Sequence, residues 1–211
     1  MHCSICGDKD ESNAQCQEGH FVCNSCHMAD GFELIERYCI ASDSDKPVEM
    51  AMNLMNSKRI KMHGPEHHFL VPAVLITAYY NKLGQRDLIS RNIKQARSRA
   101  KNVLGGYCGF LGTCGAAIGT GIFMSIILNS NPLMVEEWKQ SNMLTADTLK
   151  KIALAGGPRC CKRDTFIALE SAVKFIRDEL NVLLPVERID CTFSALNKEC
   201  KQISCKYFIN N

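Results

Sequence analysis

The chain has 211 residues, and 46% of them are hydrophobic, which suits one ordinary core plus a small added module. Its net charge of only +3 gives no support to a nucleic-acid-binding class, because such proteins concentrate basic residues. The thirteen cysteines are an odd number, which argues against complete pairing in disulfides. Since no secretory signal is recognisable after Met1, we expect a cytoplasmic protein whose reduced thiols serve metal or redox chemistry.

Two C-x-x-C pairs lie near the start of the chain, separated by 16 residues. Each pair forms a tight turn that presents two sulfurs to one ion, and four thiolates complete a tetrahedral Zn²⁺ site. Gly7 follows the first pair and suits the positive φ that such a turn needs. The spacing favours zinc over disulfide-bonded cysteines and predicts these ligands: Cys3, Cys6, Cys23 and Cys26.

Further ligand types near this end allow for a second zinc ion, held by Cys16 and His20 with His27 or Cys39. The order of cysteines and histidine resembles a zinc ribbon or the first half of an interleaved RING finger. The last C-x-x-C pair of a RING is absent, so a ubiquitin-ligase function is not implied. We therefore expect residues 1–40 to form a zinc-binding module with one or two ions.

The rest of the chain shows helical periodicity, and no stretch alternates as a strand would. Proline, glycine and capping residues delimit the predicted helices. They cover residues 31–40, 47–55, 65–81, 87–104, 112–128, 131–140, 145–155 and 164–180. We expect a mainly α fold, with residues 41–211 forming a helical bundle that ends in a less regular, cysteine-rich segment.

One uncharged stretch, residues 102–135, raises the question of a membrane segment, since residues 109–128 have the necessary length. Its glycines, and the lack of aromatic and basic flanks, favour a fully buried helix instead. The Gly115-x-x-x-Gly119 pattern would also allow two copies to pack as a homodimer. We expect no membrane partner.

A first chemical motif, His63-Gly-Pro-Glu-His-His68, opens the predicted helix 65–81. His63 and His67 are four residues apart and could bind one metal ion if the turn is helical. Glu66 or His68 could then act as a base or support a ligand. Each of these histidines could equally be a capping residue or a hydrogen-bonded core residue.

The second and third motifs also lie at predicted helix starts. Cys108 and Cys114 flank a glycine-rich turn that is not a P-loop, because no Lys-Ser/Thr pair follows. Cys160 and Cys161 lie between Arg159 and two further cations. A helix amino end and nearby cations lower the pKa of a thiol, so we expect acidic thiols suited to metal binding or nucleophilic attack.

Three more cysteines follow in the C-terminal segment, at positions 191, 200 and 205. Together with Cys160 or Cys161 they could bind a further metal, including an iron–sulfur cluster, since dispersed cysteines hold such clusters. Their spacing is not diagnostic, and one or two of them could simply be buried.

Taken together, the motifs HGPEHH (63–68), CGxxGxCGAAxG (108–119) and GGPRCCKR (156–163) resemble an uncharacterised cysteine-rich domain family of methanogenic archaea and anaerobic bacteria. The resemblance would span nearly the whole chain and implies no particular reaction. A weaker similarity links residues 114–119 to small redox proteins with a C-G-C-A-x-x-G motif, although Ala116 stands where their second cysteine lies.

Three functions follow from these patterns. The preferred one is a metal-binding protein with a catalytic or redox Cys/His centre in its helical domain. That centre would comprise His63, Glu66, His67, His68, Cys108, Cys114, Arg159, Cys160 and Cys161. The alternatives are a metal-independent thiol enzyme using Cys114 or the Cys160/Cys161 pair, and a zinc-finger adaptor for proteins. The substrate or redox partner stays open, and the acidic balance of residues 1–30 disfavours nucleic acid.

Overall fold

The computed structural model of the protein describes residues 2–3, 7, 9, 30–186 and 188–209. These residues are mainly helical, as predicted, and among them we find no strand beyond two isolated bridges, His2–Lys9 and Cys191–Phe208. The α-helices are α1 (Gly31–Ala41), α2 (Pro47–Met55), α3 (Glu66–Lys82), α4 (Ile89–Ala100), α5 (Tyr107–Phe110), α6 (Gly115–Ile127), α7 (Glu136–Ala155) and α8 (Cys161–Leu180). Short 3₁₀ turns cover Arg86–Leu88, Ser194–Leu196 and Gln202–Ser204.

Helix α3 lies at the centre of the bundle and packs against α1, α2, α4, α6 and α8. Its residues are apolar on every face, which is the pattern of a helix surrounded by others. Residues 69–71 and 73–76 are completely buried. Because the first motif forms the start of α3, its side chains enter the interior of the molecule.

Helix α6, the predicted uncharged helix, packs against α3, α4, α7 and α8 and is mostly buried. Small residues permit this close packing. A Cβ atom on Gly119 would lie 3.0 Å from Pro72 Cδ and 3.1 Å from the His68 carbonyl oxygen of α3. In the described part of the chain, no helix is both long and apolar enough to cross a bilayer.

Helix α7 corrects the prediction of two helices at 131–140 and 145–155. It runs without interruption from Glu136 to Ala155. Thr145 does not cap a new helix, because its hydroxyl donates a hydrogen bond of 3.0 Å to the Ser141 carbonyl within the same helix. Asn131 instead forms a turn ahead of α7, where its side chain accepts from the Leu133 N–H at 2.9 Å.

Helix α1 spans residue 40, where the sequence analysis places the boundary between the two domains. Helix α1 contributes Leu34, Ile35 and Cys39 to the hydrophobic core, so it packs as part of the bundle.

The last helix, α8, begins at Cys161, three residues before the predicted start, with Cys160 as its N-cap. The segment 188–209 then returns to α8, where Tyr207 and Phe166 rings contact edge to face at 5.2 Å.

Candidate functional site

The three sequence motifs, which are remote along the chain, are neighbours in the fold. The backbone N–H of Gly64 donates to the Cys161 sulfur, and Cys161 also interacts electrostatically with Cys108 and Asp164. The Cys114 thiol lies 3.8 Å from Asp164 Oδ2. The fold thus assembles the starts of α3, α6 and α8 around these side chains, which we call the motif cluster: Cys108, Cys114, Cys161 and Asp164.

Asp164 is a member of this cluster that the sequence reasoning missed. Its carboxylate is buried and accepts a 3.0 Å hydrogen bond from Arg163 Nε. Burial raises the pKa of Asp164 despite the neighbouring Arg163 guanidinium. An acidic residue directly after two cations in a helix's first turn was the available signal, since such a pair can be buried together.

The expectation of acidic thiols is wrong for the three cysteines at helix starts. Burial, followed by the Asp164 carboxylate, raises the pKa of Cys114 to about 12, although the Ala116 and Ala117 N–H groups oppose the shift. Burial likewise raises the pKa of Cys160 to about 11, and it raises the pKa of Cys161. Desolvation of the thiolate therefore outweighs the helix amino ends and the flanking cations.

His67 lies in the core with both ring nitrogens bonded. Nε2 donates to the Lys61 carbonyl at 3.1 Å, so Nδ1 accepts from the Thr165 hydroxyl at 3.0 Å. Burial and the nearby Lys162 ammonium lower the pKa of His67 to about 3. With no free nitrogen, His67 connects α3 to α8 as a neutral structural residue.

His68 has one ring nitrogen directed at the turn that carries Cys114. Its Nδ1–H donates to the Val103 carbonyl at 2.8 Å, which leaves Nε2 as the lone-pair nitrogen. A Cβ atom on Gly115 would lie only 2.3 Å from Nε2. Burial lowers the pKa of His68, so this ring is a neutral base or ligand candidate beside the motif cluster.

His63 faces the C-terminal segment, whereas Glu66 interacts electrostatically with His68. His63 Nε2–H points to Asn197 Oδ1 at 3.2 Å and Glu199 Oε2 at 3.3 Å in the C-terminal segment. Glu66 is 8% exposed, and its Oε2 has no hydrogen-bond partner. A Cβ atom on Gly64 would lie 1.9 Å from that oxygen, so the Glu66 carboxylate would have to move to accommodate a side chain there. Arg159 is exposed and acts on Cys161 only through its charge.

The neighbouring cysteines 160 and 161 belong to different sites. Cys161 belongs to the motif cluster, whereas Cys160 lines a small cavity beneath the C-terminal segment. This four-cysteine cavity has a volume of about 20 Å³, room for one water-sized occupant. Its thiols come from α8 and from three positions in the C-terminal segment: Cys160, Cys191, Cys200 and Cys205.

Polar hydrogens point at three of the four sulfurs. Cys160 accepts from the Arg163 N–H and from Asn197 Nδ2, each at 3.5 Å. The N–H groups of Phe193 and Ser194 donate to Cys191. Cys200 accepts from the Gln202 N–H at 3.4 Å. Donors of this kind stabilise thiolates and are typical of metal-bound cysteines.

Lys162, one of the cations that flank the Cys160/Cys161 pair, is buried and supports the cavity. Lys162 Nζ donates to the carbonyls of Met55 at 3.2 Å and Ile60 at 3.1 Å. The ammonium lies 4.9 Å from the centre of the Phe193 ring, a residue that lines the cavity. Burial lowers the pKa of Lys162 to about 8.

The predicted zinc ligands Cys6, Cys16, His20, Cys23, Cys26 and His27 lie outside the described residues. Cys3 is buried, and the Gly7 N–H donates to its carbonyl at 2.9 Å, with a φ of 76° at Gly7 as expected for the turn. Cys39 is completely buried in the hydrophobic core, and burial raises its pKa to about 12. Within the described residues, no three cysteine, histidine or carboxylate side chains already converge at metal-binding distance.

The fold and site define a cysteine-rich helical protein in which two thiol sites share the start of one helix. The chain belongs to DUF5714, a family of unknown function whose model matches residues 35–208. This match supports the expected resemblance to an uncharacterised domain family. No curated protein and no solved structure matches the chain significantly.

Proposed function

We propose that the protein binds metal in its helical domain, with one Zn²⁺ ion held by the four-cysteine cavity. The observation that carries the proposal is that Cys160, Cys191, Cys200 and Cys205 all line a single small cavity. These residues come from a helix start and from the irregular C-terminal segment. Four thiolates are a common ligand set for a zinc ion that stabilises such segments.

The size of the cavity favours a single ion over an iron–sulfur cluster. A volume of about 20 Å³ admits one water-sized occupant. Zinc–sulfur bonds are about 2.3 Å long, so we infer that binding draws the four sulfurs inward around the ion. The N–H donors on Cys160, Cys191 and Cys200 then stabilise the thiolates that the ion requires.

We also propose a second zinc site in the N-terminal module, at Cys3, Cys6, Cys23 and Cys26, because these cysteines form two C-x-x-C pairs. We place the protein in the cytoplasm, where these thiols stay reduced. The raised pKa values of Cys114 and Cys160 disfavour a metal-independent thiol enzyme that uses either of these residues, since a nucleophilic thiol must be deprotonated.

The motif cluster supports a second function, thiol chemistry at Cys161. This cysteine is partly exposed, accepts the Gly64 N–H and lies near the exposed Cys108. We infer that a substrate or redox partner meets Cys161 here. In metal-loaded protein with Cys108→Ser, iodoacetamide should modify Cys161 ahead of the other cysteines. Uniform or absent modification of Cys161 would count against this function.

Elemental analysis of the full-length protein, purified without oxygen, tests the metal proposal. We expect the Cys191→Ser and Cys200→Ser variants each to contain one zinc ion per chain fewer than the unaltered protein. Cys108→Ser is the matched control and should keep its zinc, because Cys108 is exposed and does not line the cavity. Equal zinc in all four proteins would refute the site, and a brown protein with stoichiometric iron would replace zinc with an iron–sulfur cluster.

A further inference from the structure

A second cavity adjoins the four-cysteine cavity and shares Arg163, Lys201, Cys205 and Tyr207 with it. Its volume is about 500 Å³, within the range of small-molecule binding sites. We call it the lysine cavity. It opens between α7, α8 and the C-terminal segment.

The lining of the lysine cavity is strongly cationic. It contains Arg163 and four lysines, one on α7, one on α8 and two on the C-terminal segment: Lys151, Lys174, Lys201 and Lys206. Glu170 is the single acidic residue among the lining residues. Apolar side chains, including Ile167 and Leu154, complete the wall. The cavity therefore suits an anion that carries an apolar group.

The lysines form ion pairs or hydrogen bonds within the chain that still allow their ammonium groups to bind a ligand. Lys151 and Lys174 pair with Asp147 and Asp178 on the helix surface, at 2.7 Å and 2.5 Å. Both pairs are partly solvent-exposed, and such pairs contribute little free energy. Lys201 Nζ donates to the Ala155 carbonyl at 2.7 Å, which leaves two of its hydrogens unassigned. Lys206 is paired with Glu170.

A buried hydroxyl in the wall provides an independent indication of a ligand. Ser171 lines the cavity, is only 2% exposed, and its Oγ has no hydrogen-bond partner. A buried hydroxyl without a partner is costly, so native proteins usually satisfy such groups. Rotation of the Ser171 side chain into the lysine cavity would let a polar ligand supply the missing bond.

We propose that the lysine cavity binds a small organic phosphate. Lysines recognise phosphate as point charges, whereas carboxylates are typically matched by the two-pronged fork of an arginine. The one arginine here is already engaged, with Nε on Asp164 at 3.0 Å and an Nη on the Pro158 carbonyl at 3.3 Å. Four of the five cations in the lining are lysines, and the apolar wall accommodates the organic part.

Calorimetric titration of the full-length protein with phenyl phosphate tests this site, with phenylacetate as the carboxylate of similar shape. We expect phenyl phosphate to bind and the Lys151→Gln/Lys174→Gln double variant to bind it roughly tenfold or more weakly, given the strength of charged hydrogen bonds. Lys139→Gln is the matched control, because Lys139 lies on α7, forms a similar surface pair with Glu136, and is outside the lining.

Ser171→Ala provides a second variant that the fold should tolerate, since its hydroxyl has no partner to lose. It should weaken phenyl phosphate binding severalfold at an unchanged unfolding temperature. No binding of phenyl phosphate, or equal binding by the double variant and Lys139→Gln, would overturn the proposal. Tighter binding of phenylacetate would overturn the phosphate assignment. Zinc content should be the same in all these variants, so this test is separate from that of the metal site.

Discussion

At the scale of single residues, the three histidines of the first motif differ because of what their ring nitrogens contact. His67 uses both nitrogens within the core, and His63 reaches the C-terminal segment through Nε2. His68 keeps Nε2 as a lone-pair nitrogen beside Gly115, because its Nδ1–H is bonded to Val103, and the Nδ1 atom of His63 is buried without a hydrogen-bond partner among the described residues. Spacing in the sequence could not separate these roles, since they depend on partners from distant elements.

The lowered pKa of His67 predicts acid sensitivity of the fold. Its pKa is about 3 in the folded protein and ordinarily 6.5, so the unfolded chain binds one more proton between these values. Stability from this residue is complete above about pH 6.5 and is lost as the pH falls toward 3. The free energy of unfolding should drop by up to about 1.4 kcal/mol per pH unit in that window.

The comparison with His67→Gln isolates this effect, because every other acid-sensitive group, including the proposed zinc site, is the same in both proteins. Urea unfolding between pH 4.5 and 7 should show a shallower pH dependence in the variant, by close to one proton. Identical slopes for the two proteins would show that His67 is not neutral and buried as described.

At the scale of elements, the sequence predicts most helices because prolines, glycines and apolar spacing mark them locally. Helices α1, α2 and α3 agree with prediction to within a residue. The division of α7 failed because Thr145 is a capping residue by type, yet its hydroxyl bonds back to Ser141 inside the helix. The raised thiol pKa values were missed for a similar reason, since burial is decided by packing that no local pattern contains.

The approach of α6 to α3 predicts a strict need for glycine at position 115. A Cβ atom there would lie 2.1 Å from Cδ2 of His68, whose ring is held by Val103. We expect Gly115→Ala to lower the free energy of unfolding by about 1–3 kcal/mol, as overpacking in cores does.

Gly105→Ala is the matched control, because a Cβ atom at Gly105 meets nothing within 4 Å. Urea unfolding should give the control nearly the stability of the unaltered protein. A Gly115→Ala protein as stable as this control would mean that α6 and α3 are not in such close contact.

At the scale of the whole molecule, the C-terminal segment 188–209 contains many of the residues that we propose bind ligands, although it has little regular structure. It contributes three of the four cavity cysteines and two lysines of the lysine cavity. It contacts α8 through Lys206 and the Tyr207 hydroxyl, both of which bond to Glu170. One metal ion would therefore organise both cavities.

Removal of the metal should loosen this segment selectively. After treatment with a chelator under reducing conditions, we expect amide hydrogens in residues 188–209 to exchange faster by tenfold or more, since local opening then lacks its main restraint. Residues 69–76 of α3 should stay protected, because they are buried without help from the cavity. Equal protection of the segment with and without metal would argue that packing alone fixes it.

The decisive measurement is the position of zinc in crystals of the full-length protein, found by anomalous diffraction above the zinc absorption edge. We predict a peak inside the four-cysteine cavity, about 2.3 Å from the sulfurs of Cys160, Cys191, Cys200 and Cys205. Zinc-containing crystals with no peak in that cavity would contradict a metal site in the helical domain.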